Sequence, residues 1–296
     1  MKRTLLLICV ATSVGCRVAP RSGQLAITRV SHERIRAQTA DEFQNSVFFK
    51  PREPSASAVP VVMAPLIVQE IKPDATAPAE TERIGSWIAD ELDTRRLSLA
   101  RSTVYLGQSL AVLNGREHRQ ITYVWWQPGG EASTGGTRCF AVRMTLDEDG
   151  APHIWELIDS SQQAVLFVSQ SLERAARQAY GDPLPERRFA VETPLDAQPH
   201  VIVARVLADG PIAMGPLVYQ SLRPAAVTTL LCRCMPSQVA ETVDGMWYDI
   251  EPLSTLAGQR GGGMDLPGSV YELRVPLADM HDPNWLEYAL RLPPDF

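Results

Sequence analysis

Period-two alternation of apolar and polar residues dominates the middle of this chain. The run 110–113 (Leu-Ala-Val-Leu) and the run 119–127, which carries Ile121, Tyr123, Val124, Trp125 and Trp126, flank Asn114-Gly115. An Asn-Gly pair between two strand-like runs predicts a type I′ hairpin, because both central residues must adopt a left-handed backbone. After a Pro-Gly-rich loop, residues 137–146 read as a third strand, with Phe140, Val142, Met144 and Leu146 on one face. A turn at 147–150 (Asp-Glu-Asp-Gly) leads to a fourth strand over 153–158. The pattern predicts an antiparallel meander.

Flanking segments change period. Ile84, Trp87, Ile88 and Leu92 fall at helical spacing behind Thr81, a suitable N-cap, and predict a helix over about 81–97. A second helix is predicted over 171–180, ended by Gly181 and Pro183, with Glu173, Arg174 and Arg177 facing solvent. Further strands are expected at 165–168, 201–207, 227–235, 246–250 and 269–275, and 285–292 reads as a strand or a docked segment. The fold class is α+β: mainly antiparallel sheet with a few packed helices. The globular domain is expected over 81–296, as one unit or as two subdomains divided near 182–199.

Before residue 81 the composition shifts. Pro51, Pro54, Pro60, Pro65, Pro73 and Pro78 recur among Ala, Ser and Thr, which predicts an extended tether over 16–80. The stretch 59–71, with Val61, Val62, Met63, Leu66, Ile67 and Val68, interrupts it. It is expected to lie as a β-arm on the domain, in preference to adding to a partner's sheet edge.

The first residues carry their own signal. Lys2 and Arg3 precede an apolar run from Leu5 to Ala11, too short to span a bilayer, and then Ser13-Val14-Gly15-Cys16. This segment resembles a bacterial lipoprotein signal peptide, with a lipobox ending at Cys16 and Ser13 in place of the usual leucine. The resemblance covers residues 1–16. It implies removal of 1–15, lipid attachment at Cys16 by fatty acids such as palmitate, and a cell-envelope location. Several acyl chains anchor a protein stably where one binds only marginally. Arg17, a residue other than aspartate after the cysteine, goes in this family with the outer membrane more than the inner.

Charge and composition then exclude several partners and chemistries. Without residues 1–15 the chain has 26 basic and 34 acidic residues, a net charge of −8, and no basic run, so nucleic acid is not an expected partner. Lysine occurs at positions 2, 50 and 72 alone, which leaves 81–296 without a Schiff-base or P-loop lysine.

The remaining chemistry is fragmentary. Cys139, Cys232 and Cys234 stay after Cys9 and Cys16 are assigned to the signal and the lipid. Buried thiols are favoured over one bridge from Cys139, and either over a soft-metal site for Cu(I) or zinc completed by His200 or Met235. The run 107–111 (Gly-Gln-Ser-Leu-Ala) approaches a nucleophile elbow around Ser109, but Ala111 breaks the motif and the hairpin signal opposes it. His118, His153, His200 and His281 stand far apart, and His32-Glu33 lacks a second histidine. Glu156, Asp159, Asp249 and Glu251 are the candidates for a glycosidase-like carboxylate pair, with solvated strand-end acids the simpler reading. The glycine loop at 258–268 lacks a following helix. Trp125 and Trp126 face opposite sides of their strand; core packing with a cross-strand aromatic pair is favoured, and an exposed Trp126 that stacks on sugar or peptide is the alternative.

No catalytic motif is complete and no cofactor is implied. The expectation is an envelope lipoprotein with a non-catalytic binding or assembly domain, meeting the membrane through Cys16 and an envelope protein through its domain. The alternatives are a tethered hydrolase of cell-wall or extracellular polymer and, behind it, a cysteine-based metal or redox site.

Overall fold

The computed structural model describes residues 45–52, 63–89, 95–128, 137–158, 164–183, 189, 201–207, 209, 215–222, 226–232, 245–256, 286–287 and 290–296. The expected signal peptide, Cys16, the 269–275 strand and the glycine loop lie outside them.

Thirteen strands and one α-helix are described: β1 Ser46–Pro51, β2 Leu66–Glu70, β3 Ser86–Ala89, β4 Arg95–Ser98, β5 Thr103–Leu113, β6 Arg116–Pro128, β7 Thr137–Leu146, β8 Pro152–Ile158, β9 Ala164–Ser169, α1 Gln170–Tyr180, β10 Val201–Leu207, β11 Leu217–Ser221, β12 Ala226–Cys232 and β13 Met246–Pro252. Eleven of the strands form one sheet in the order β10-β9-β8-β7-β6-β5-β13-β1-β2-β11-β12, and β3 pairs with β4. The fold is mostly β. The expected antiparallel meander is its β5–β9 portion, but β13 joins both β5 and β1 in parallel, as do β11 with β2 and β10 with β9. Parallel neighbours come from distant parts of the chain, so local turn signals do not announce them.

The hairpin forms as its dipeptide predicts. Asn114 (φ 50°) and Gly115 (φ 77°) are both left-handed, and Leu113 faces Arg116. Phe140, Val142, Met144 and Leu146 share one face and join Trp125, Tyr123, Trp155 and Phe167 in the main core. The sheet curls into half a barrel around that core, carrying β12 over β7 and β8. Three strands and a 3-10 turn are then linked across the interior by side-chain amides. Trp125 Nε1 donates to Gln220 Oε1 (3.1 Å), Gln220 Nε2 to Gln127 Oε1 (2.8 Å), Gln127 Nε2 to Gln69 Oε1 (3.2 Å), and Gln69 Nε2 to the Glu82 carbonyl (2.7 Å).

The expected helix over 81–97 is not formed. A 3-10 turn at Glu80–Glu82 is followed by a bridge from Gly85 to Trp126 and by β3, whose Trp87 faces Leu97 of β4. Ile84, Trp87 and Ile88 satisfy a helical period, but Gly, Ser, Trp and Ile in succession are poor helix formers and tertiary contacts decide. Gly85 lies so close to β4 that a Cβ there would stand 2.7 Å from Leu97 Cγ. Leu92 lies outside the described residues.

Part of the expected tether is sheet. β1 and β2 occupy interior positions of the half-barrel, and Phe49, Met63, Ala64 and Ile67 are in its core. The proline-rich composition around them masks two strands of six and five residues. The 63–71 portion of the expected arm does bury its apolar residues against the domain. Strands from both sides of the expected 182–199 division, β9 and β10, pair within the one sheet.

Helix α1 forms where predicted, with Ser169 as N-cap and Gly181 (φ 88°) at its end. Glu173 is buried rather than solvated, its carboxylate taking a 2.8 Å bond from Arg177. The tail is a docked segment: Leu286, Leu290, Leu292 and Phe296 pack with Leu172 and Ala176 of α1. Asn114 Nδ2 reaches the Pro293 carbonyl at 2.9 Å, so the hairpin tip also holds the tail.

Replacing Gln127 with leucine would leave Gln220 Nε2 without its acceptor and Gln69 Oε1 without its donor inside the core. Two buried polar groups without partners cost about 2–4 kcal/mol together. Urea unfolding of Gln127→Leu should show a loss in that range, and an unchanged midpoint would refute the interior linkage.

Candidate functional site

Helix α1 begins without a loop where β9 ends. Because β10 runs parallel to β9, the carboxyl ends of both strands meet the helix N-terminus, the place where parallel β-α-β units collect polar groups and ligands. Ser169 Oγ accepts from the Leu172 amide at 3.2 Å, satisfying one of the helix's free N–H groups.

His153, from β8, reaches the same point. Its Nδ1 lies 2.5 Å from Ser169 Oγ and 3.2 Å from Ser171 Oγ, and its Nε2 lies 2.8 Å from Asp147 Oδ2. Both ring nitrogens are therefore engaged, one by the Asp147 carboxylate and the other by the two serine hydroxyls. The second Asp147 oxygen accepts from the Ala151 amide at 2.7 Å and closes the β7–β8 turn. Asp209, just beyond β10, takes the Ser171 amide at 3.2 Å and the Ser171 hydroxyl at 3.0 Å. A serine, a histidine and an aspartate thus stand within hydrogen-bonding reach. The sequence presents His153 as one of four scattered histidines; strand pairing between β8 and β9 brings it to Ser169. The Ser-x-Ser pair ahead of a helical period was the one available signal.

The other expected site residues are dispersed. Ser109 sits in mid-strand on β5, its hydroxyl 3.3 Å from Gln120 Oε1, with no strand-to-helix turn after it. Glu156 is fully buried and accepts two bonds from Arg143, its cross-strand neighbour, at 2.6 and 2.5 Å. Burial opposes the Arg143 charge, but Glu156 beside it prevails and holds the guanidinium pKa above its ordinary value. Asp249 and Glu251 share one face of β13 and pair with arginines, so no facing carboxylate pair forms among Glu156, Asp249 and Glu251. Asp159 lies outside the described residues. His118 is buried, bonded through Nδ1 to the Leu146 carbonyl at 3.0 Å and stacked on Phe296. Cys139 is a free, buried thiol on β7, and burial pushes its pKa well up. Cys232 closes β12. Its side chain, Cys234, His200, His281 and Met235 are outside the described residues. Among the described residues no three His, Cys, Asp or Glu side chains gather as metal ligands.

The tryptophans pack in the core, as favoured, and the exposed alternative for Trp126 is not what forms. Trp125 and Trp126 do face opposite sides of β6, yet both are fully buried, because β3 and β4 cover the outer one. Trp87 and Tyr105 meet Trp126 edge-on at 6.0 and 5.4 Å. Among the described residues the exposed tryptophan is Trp247, 48% exposed on β13. Its strand alternates Met246, Tyr248 and Ile250 with Trp247, Asp249 and Glu251; the first set meets the core. An aromatic residue in the polar phase of a strand was a legible signal that sequence reasoning passed over.

Around Trp247 the side chains are held. Lys50, opposite it on β1, places Nζ 5.1 Å from the ring centroid. Arg52 Nη1 bonds Asp249 Oδ1 at 3.0 Å, and Arg101 pairs with Glu251 while its Nε lies 3.7 Å from Asp249 Oδ2.

Ser169→Ala removes the helix cap and the partner of His153, and should cost about 1–2 kcal/mol in chemical denaturation. Cys139, buried and with a raised pKa, should resist maleimide in the folded protein and react fully in guanidinium; rapid labelling of the folded protein at Cys139 would contradict its burial. No protein-family model, curated protein or solved structure matches this chain.

Proposed function

We propose that this is a lipid-anchored envelope protein, held at the membrane through Cys16, whose β domain binds an envelope component without covalent chemistry. The observation that carries this reading is the outward Trp247 beside surface ion pairs on an interior strand of the sheet, an arrangement suited to recognition. The lipobox-like run ending at Cys16 supports the anchor, and among the described residues no helix is long and apolar enough to cross a membrane.

A tethered hydrolase is the second reading, favoured by the contacts among Ser171, His153 and Asp147. Two features of the cluster oppose it. The Ser171 amide, at the helix end where an oxyanion would be received, donates instead to the Asp209 carboxylate. The Ser171 hydroxyl proton is directed to the same carboxylate, while the fully buried Ser169 lies closer to the histidine. Both serines, His153 and Asp147 are accounted for by holding α1 to the β7–β8 turn.

The mature protein in detergent should not react with a fluorophosphonate probe. Labelling at Ser171 that disappears in Ser171→Ala and His153→Ala would establish the hydrolase and overturn the binding reading. Cys16→Ser should move the protein from the membrane fraction to the soluble fraction; unchanged membrane retention would remove the anchor.

A further inference from the structure

We draw no further inference here: the strongest candidate, the surface patch of Leu110 and Val112 on the β5–β6 hairpin beside their cross-strand neighbours Arg119 and Glu117, is a small exposed apolar face, and nothing among the described residues shows what covers it.

Discussion

A half-barrel is an open structure, and this one depends on the buried amide chain that crosses its interior. Backbone ladders join each strand to its neighbours, but they do not join β6 to β11 and β2 on the opposite wall. Gln127, Gln220 and Gln69 make that connection, and the Trp125 indole and the Glu82 carbonyl terminate it. Each glutamine in the line both accepts and donates, so each polarises the next in a medium that screens weakly. Apolar side chains alone would fill the same space without fixing how far the two walls curl toward each other.

The outer face is organised by different means. β3 and β4 cover Trp126 and Cys139 at one end, and the C-terminal segment with α1 covers the other. Asn114 has two roles here: its left-handed backbone makes the hairpin turn, and its side chain holds the tail. His118 and His153 flank Phe296, so both described histidines of the folded region are tied to the packing of that tail. β13, which carries the half-exposed Trp247, lies beyond β5 in the strand order, on the side away from both covers.

The Ser171, His153 and Asp147 cluster illustrates why contact among chemically suitable groups is an incomplete criterion for catalysis. A nucleophilic serine needs its proton directed to the base and a vacant set of donors for the oxyanion. Here the proton and the helix amide are both directed to Asp209. Those same bonds explain a helix that starts immediately at the end of a strand. Around Trp247, by contrast, the fixed groups lie beside an exposed face.

Short-range features of the fold were legible because their causes are local. Asn114-Gly115 determined a turn by backbone conformation, the period of 137–146 determined which residues enter the core, and Gly181 ended α1. The N-terminal lipobox also stands in the sequence alone. The parallel partners of β13, the inclusion of β1 and β2, and the conversion of the 84–88 segment from helical period to strand were decided by the tertiary structure. In each case the deciding contact joins residues far apart in the chain: Phe49 with Met246, Ile250 with Val104, Gly85 with Trp126. The same holds for function. The sequence supplied the polar phase that carries Trp247 outward, but only the folded sheet covered Trp126, exposed Trp247 and brought two arginines to the acids beside it, because burial and ion pairing belong to the assembled chain.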